Sequence, residues 1–237
     1  MNYAIILSGG VGTRMRSDGF PKQYLMVNEK PVLLYALEPF AACRQIDRIV
    51  IVANDAWKDQ IRQWVKEAGI EKPVDIAPNG DCRQGSILNG LLACAACKAP
   101  APGDKVLIHD GVRPLVTVKL IEDCLDVLQR YDCCLPAVPI FDSTYTTQDH
   151  ATVFGPFNRD KLVCGQTPEG FELKSYLELN QACTPEELEK LRGSVELPLQ
   201  HGLTIGLVQG DHNNFKLTRP DDLKLFKAHL AARAMEE

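Results

Sequence analysis

Short apolar runs alternate along the chain with segments whose apolar residues recur every three or four positions. Tyr3-Ala4-Ile5-Ile6-Leu7, Arg48-Ile49-Val50-Ile51-Val52, Pro73-Val74-Asp75-Ile76-Ala77 and Lys105-Val106-Leu107-Ile108 read as buried strands, the last of them central. Between them, Pro31 opens a helix through Leu33, Leu34 and Leu37. Trp57, Ile61, Trp64, Val65 and Ala68 repeat at helical spacing, so both tryptophans read as core packing. Ile87, Leu88, Leu91 and Leu92 share one face of a third helix, and Thr117 caps a fourth through Ile121, Cys124, Leu125 and Leu128. Strands alternating with helices predict an α/β protein, with a mostly parallel twisted sheet and helices on both faces.

Beyond Leu135 the pattern weakens. Pro136-Ala137-Val138-Pro139-Ile140 reads as a strand or strand edge. Residues 141–147 and 151–154 read as the arms of a β-hairpin with Gln148-Asp149-His150 at its tip. Such a hairpin is marginal alone, and its Thr, Phe and Tyr content suits a partner surface better than water. Phe171 to Leu177 begins a helix. Thr184-Pro185-Glu186-Glu187 opens another, with Thr as cap and Pro in the first turn. Leu203 to Gly210 is a further strand. Asp221 and Asp222 start the last helix, where acids suit the positive end of the dipole. No repeat, low-complexity tract or linker interrupts the chain, so 1–237 is expected to be one domain, with an arm at about 139–164.

Composition narrows the function. The chain has 237 residues, 45% of them hydrophobic, and a net charge of −5. That acidity gives no electrostatic support to nucleic-acid binding. No apolar run approaches the ~20 residues of a membrane span, and the N-terminus goes straight into a strand, so a cytoplasmic protein is expected. Of the nine cysteines, Cys94 and Cys97 form a CxxC inside an apolar helix, with no second pair to complete a zinc site. Most read as small buried hydrophobes in a reducing compartment.

The chemistry concentrates at strand ends. Directly after the first strand come Ser8-Gly9-Gly10-Val11-Gly12-Thr13-Arg14-Met15 and then Phe20-Pro21-Lys22-Gln23-Tyr24. Glycines let the backbone turn tightly and approach a ligand, loop N–H groups converge on an anion, and Arg14 and Lys22 add charge: a cradle for a polyphosphate. A Walker A loop would end Gly-Lys-Ser/Thr, and a dinucleotide fingerprint would need glycine where Met15 stands. Asp55, after the second strand, keeps a nicotinamide-binding reading open. The loop Asn79-Gly80-Asp81-Cys82-Arg83-Gln84-Gly85-Ser86 also lies between a strand and a helix, where open α/β sheets bind ligands. His109-Asp110-Gly111-Val112-Arg113-Pro114 puts a carboxylate at the tip of the central strand, placed to hold Mg²⁺ or a substrate hydroxyl. His109 itself reads as a packed core residue.

These motifs together, with Asn213-Asn214-Phe215-Lys216-Leu217-Thr218-Arg219-Pro220 near the end, resemble the cytidylyltransferases that act on polyol phosphates. Two branches fit: ribitol-5-phosphate and 2-C-methyl-D-erythritol 4-phosphate cytidylyltransferases. The spelling Gly165-Gln166-Thr167-Pro168 looks more like the first. The resemblance implies a Rossmann-like nucleotidyltransferase fold with a projecting β-hairpin arm that forms a homodimer. It implies transfer of CMP from CTP to a polyol phosphate, most simply D-ribitol 5-phosphate, giving a CDP-polyol and pyrophosphate for polysaccharide or teichoic acid precursors. Mg²⁺ or another divalent cation is the implied cofactor, and Asp110 its implied ligand.

By the same resemblance, Arg14, Lys22 and Lys216 are the catalytic cations, with Lys216 facing the transferring phosphate opposite Lys22. Ser8, Gly9, Gly10 and Gly12 hold phosphates. Gly80 and Asp81 hold the cytosine through their backbone and Ser86 through its side chain, while Arg83 shapes that pocket. Asp110, Arg113, Ser143, Arg159 and Thr167 serve the acceptor, Arg159 and Thr167 at the neighbouring subunit's site.

Two departures from the relatives stand out. Gly85 replaces an acid before Ser86, which loosens that loop. Arg192-Gly193-Ser194-Val195-Glu196 replaces a Thr-Asp-Glu or Thr-Asp-Ala segment, with Gly193 at the Asp. The second leaves open a homologue that binds CTP without turnover.

Overall fold

The computed structural model describes residues 1–10 and 20–236. In chain order its strands are β1 (Asn2–Leu7), β2 (Met26–Val27), β3 (Lys30–Pro31), β4 (Arg48–Ala53), β5 (Val74–Pro78), β6 (Lys105–Asp110), β7 (Cys133–Pro139), β8 (Thr144–Thr146), β9 (Gly155–Phe157), β10 (Val163–Gly165), β11 (Glu169–Glu172) and β12 (Ile205–Gln209). The helices are α1 (Val32–Ala42), α2 (Lys58–Glu67), α3 (Arg83–Cys97), α4 (Val118–Val127), α5 (Leu173–Ala182), α6 (Pro185–Lys190), α7 (Glu196–Gln200) and α8 (Pro220–Glu236).

The main sheet runs β10-β7-β11-β6-β1-β4-β5, with β12 on β7. β1 pairs in parallel with β4 and β6, and β4 with β5, so the ends of β1 and β6 lie side by side, Leu7 opposite Asp110. β11 is antiparallel to both β6 and β7.

Alternation along β1 splits the core between the two faces of the sheet. Ala4 and Ile6 pack with Leu33, Leu37 and Phe40 of α1 and with Ile121 and Cys124 of α4. Tyr3 and Ile5 pack with Ile87, Leu91 and Cys94 of α3 and with Leu173 and Tyr176 of α5. Helices thus cover both faces, as the periodicity predicts. Thr117 caps α4 by accepting from Leu120 N at 3.2 Å, and Thr184 and Glu187 form a capping box at α6.

Two local readings need correction. Phe171 belongs to a strand: β11 pairs it with Val106, and α5 begins two residues later, where Glu172 Oε2 accepts from Ser175 N at 2.7 Å. The second hairpin arm is β9, paired Thr144 with Phe157, while 147–154 forms the connecting loop. The Asp149 carboxylate closes that loop by accepting the N–H groups of Ala151 at 2.9 Å and Thr152 at 2.8 Å. Among the cysteines, all free, Cys43, Cys94, Cys124, Cys133 and Cys134 are buried, but Cys97 and Cys164 are exposed. Among the described residues no helix is long and apolar enough to cross a membrane.

Candidate active site

The site lies at the carboxyl ends of β1, β5 and β6. Its first wall is the start of the glycine loop, held from behind by the Pro-Lys-Gln-Tyr segment. Gln23 Nε2 donates to Ser8 O at 2.6 Å and Gly10 O at 2.8 Å, and Tyr24 Oη donates to Ser8 O at 2.9 Å. Gln23 and Tyr24 are buried and serve the loop, while Lys22 between them and Pro21 lines the pocket. Trp57 packs on Tyr24, ring centroids 4.3 Å apart, so that tryptophan supports the site as well as the core. Ser8 is 2% exposed and shapes the loop from within. Gly9 and Gly10 line the pocket. Only Gly9 is sterically required, since a Cβ there would lie 2.4 Å from Asn79 Cβ, whereas Gly10 faces open space. Gly12 and Arg14 lie outside the described residues.

The second wall is the 79–86 loop, with Gly80, Asp81, Arg83 and Ser86 on the pocket. Ser86 Oγ donates to Cys82 O and accepts from Gly80 N, both at 3.0 Å, so its hydroxyl folds the loop before it meets any ligand. A Cβ on Gly80 would meet Gly85 C at 2.5 Å; Gly85 itself has room for one. α3 starts here with Cys82 Sγ as its cap acceptor, 3.2 Å from Gly85 N.

Between the walls stand Asp110 and Lys216. Lys216 Nζ lies 2.9 Å from Asp110 Oδ2, Arg83 Nη2 3.6 Å from Oδ1, and Arg113 Nε 3.7 Å from Oδ2. Burial works to raise the Asp110 pKa, but these cations outweigh it and hold the carboxyl well below the usual range. Arg83 is also shifted: burial opposes its charge, yet Asp110 and Glu169 raise its pKa.

A buried relay fixes Asp110 and Arg113. Arg113 O can only accept, so His109 Nε2 carries the proton and donates to it at 3.1 Å. His109 Nδ1 then accepts from Thr167 Oγ1 at 2.9 Å, and Thr167 Oγ1 accepts from Asp110 N at 3.1 Å. Burial pushes the His109 pKa down to about 4, which keeps the ring neutral. Arg113 Nη1 donates to Asn214 O at 2.6 Å, and Asn214 Nδ2 donates to Thr167 O at 2.8 Å. Leu217 N donates to Val112 O at 2.9 Å, so Lys216 is pinned on both sides.

Thr167 therefore departs from its expected place. It is 4% exposed and its hydroxyl is committed beneath Asp110 of its own chain, not presented to a neighbouring site. Arg113 stands behind Asp110. Ser143 and Arg159 are exposed on the arm and its flank, away from this pocket, and Arg159 Nη1 donates to Phe141 O. Sequence reasoning missed Glu169 and Ser194, both buried, which meet Arg83 from β11 and from the 192–196 segment.

No three His, Cys, Asp or Glu side chains cluster to hold a metal ion among the described residues. Asp110 alone, already paired with Lys216, fits a divalent ion held chiefly by substrate phosphates, the common mode for Mg²⁺.

A glycine-walled pocket at the ends of a largely parallel sheet, lined by two lysines and a buried carboxylate, defines the site of an α/β nucleotidyltransferase. Residues 2–232 match the family described as IspD, 2-C-methyl-D-erythritol 4-phosphate cytidylyltransferase, and the chain belongs to that family. Among its relatives is the ribitol-5-phosphate cytidylyltransferase of Vibrio parahaemolyticus serotype O3:K6, 32% identical over 231 residues, covering 96% of this chain and 95% of the relative. The protein of the same name from Lacticaseibacillus paracasei is 33% identical over 242 residues, covering 99% of this chain and 100% of the relative. The fold is shared with 4-diphosphocytidyl-2C-methyl-D-erythritol synthase from Anaerococcus prevotii, at a TM-score of 0.79 and 23% identity, over 97% of this chain and 98% of that one.

Proposed function

We propose that this protein transfers CMP from CTP to D-ribitol 5-phosphate, giving CDP-ribitol and pyrophosphate. The observation that carries the reading is the convergence of Lys22, Lys216 and Asp110 on one pocket whose walls are the Gly9-Gly10 and Gly80–Ser86 loops. The near full-length relatives named for ribitol 5-phosphate favour that acceptor. The family description favours methylerythritol phosphate as the second reading.

In this reaction a phosphate oxygen of the acceptor attacks the α-phosphorus of CTP in line. The new P–O bond forms as the bond to the bridging oxygen breaks, and pyrophosphate leaves with that electron pair. The attacking oxygen is already anionic, so no strong general base is needed; the difficulty is bringing anions together. Catalysis is then positioning and charge stabilisation. The 9–10 amides and Lys22 hold the triphosphate, a task that the sequence motif also gives to Gly12 and Arg14. Gly80, Asp81, Arg83 and Ser86 enclose the base. Lys216 faces the reacting phosphate from the other side, and Asp110 with Arg113 lies toward the acceptor. A divalent ion carried by the nucleotide supplies further positive charge when bound, with Asp110 as its protein ligand.

The arm exposes Phe141, Tyr145 and Phe154, the last 72% exposed. Large exposed apolar residues gathered on one projection suit burial against a partner. The arm thus serves as the contact with a second copy of the chain, bringing Ser143 and Arg159 to the neighbouring acceptor end. Nine free thiols suit a cytosolic enzyme. The reading is tested by Lys22→Ala and Lys216→Ala. Each should lower turnover by two to three orders of magnitude, about 3–4 kcal/mol of barrier, with the fold intact. Near-normal turnover in either removes that lysine from its role.

A further inference from the structure

The 192–196 segment, where the chain departs from its relatives, is tied into the site. Ser194 is fully buried, and its hydroxyl accepts from Arg83 Nη1 at 2.6 Å while donating to Glu169 Oε2 at 2.6 Å. Arg83 Nη2 donates to the same Glu169 oxygen at 3.1 Å. The three side chains close a triangle of charge-assisted bonds from three separate parts of the fold. A second tie comes from the adjacent residue. Gln84 Nε2 donates to Tyr176 Oη at 2.9 Å, and Tyr176 Oη donates to Ser194 O at 3.0 Å. Tyr176 is fixed in turn by stacking on Phe171, ring centroids 3.8 Å apart. Both residues that open α3 therefore reach the same serine, one at its side chain and one at its backbone.

We propose that Glu169 and Ser194 are positioning residues that lock Arg83 in the nucleotide pocket, so that the departing segment supports nucleotide binding in this chain. Arg83 is the only side chain of the 79–86 loop that also approaches Asp110, at 3.6 Å among the described ion pairs. Freed from Glu169, its guanidinium turns wholly to Asp110. That opens the base pocket and competes with Lys216 for the carboxylate. The triangle also places a buried carboxylate next to the segment that lacks the relatives' acid. Gly193 accordingly leaves no gap in the charge pairing of Arg83.

The inference rests on the pocket being a nucleotide site, and CTP binding by calorimetry tests it apart from turnover. Glu169→Gln should weaken CTP about five- to tenfold while the KM for the acceptor stays within about twofold. In an Arg83→Lys background, which lacks the fork, Glu169→Gln should add less than about twofold. Ser194→Ala, which is sterically mild, should weaken CTP about two- to fivefold and carries the same test if Glu169→Gln does not fold. Unchanged CTP affinity in a folded Glu169→Gln or Ser194→Ala protein overturns the inference. So do effects that multiply independently with Arg83→Lys, or a loss confined to the melting temperature. Wild-type protein that binds CTP but turns over no acceptor would sink the proposed reaction and leave this inference standing or falling on the binding data.

Discussion

Lys216 Nζ lies 2.9 Å from Asp110 Oδ2, and this pair joins the tip of β6 to the loop that precedes α8. Asp110 is the hub of the site: it also balances Arg83 and Arg113. Asp110→Asn removes the anion and leaves three cations facing one another. Turnover should fall about 10²–10³-fold, with the nucleotide still bound, as steady-state rates and calorimetry will show. Because the carboxyl is held well below the usual range, activity between pH 5 and 8 should show no step from Asp110. Its stabilising effect is fully present above the unfolded value and is lost only as the pH falls below the usual carboxylate range.

Thr167 should matter for order, not for direct contact. Thr167→Val leaves Asp110 N and His109 Nδ1 without their partner, which costs about 1–3 kcal/mol. Chemical denaturation should register that loss. Thr167→Ser, which keeps the hydroxyl, should restore most of it along with turnover. A valine variant as stable and active as wild type would remove the relay from its role.

His109 gives stability a pH dependence of known sign. Its folded pKa of about 4 lies below the ordinary 6.5. Between those values the unfolded chain binds the proton and the folded chain does not. Stability therefore rises with pH through this window, and falls on the order of 3 kcal/mol on acidification from about pH 7 to 4. Urea midpoints at closely spaced pH values should slope across it, and the slope should flatten in His109→Gln.

The two glycines of the 79–86 loop should behave oppositely. Gly80→Ala drives a Cβ to 2.5 Å from Gly85 C and must displace the loop, so CTP affinity should drop about tenfold or more. Gly85→Ala makes only ordinary contacts, with Cys82 Sγ at 3.5 Å and Gly80 Cα at 3.8 Å, and sits in the first turn of α3. It should be neutral or slightly stabilising, by up to about 1 kcal/mol, through helix propensity. The same calorimetry and melting experiments distinguish the two.

Much of the site was legible because its residues sit beside strong local signals. Lys22, Asp110 and Lys216 each occupy a spelled motif at the end of a strand or before a helix, and the glycines mark where two loops touch. Glu169 and Ser194 carried no such mark. They meet Arg83 only because β11 runs antiparallel beside β6 and the 192–196 segment folds back over α3, contacts spanning 86 and 111 residues. β11 itself was hidden by its shortness and by Phe171 and Tyr176, whose spacing also fits a helix. Thr167 illustrates the opposite limit. Its residue type suits phosphate binding, and only the fold reveals that its hydroxyl is already committed beneath Asp110.

The most direct test is pyrophosphate release by the purified protein with Mg²⁺ and CTP, run side by side with D-ribitol 5-phosphate and 2-C-methyl-D-erythritol 4-phosphate. Release with the ribitol compound alone is the predicted result, with CDP-ribitol formed in equal amount. Release with methylerythritol phosphate alone, or with neither acceptor, would contradict it.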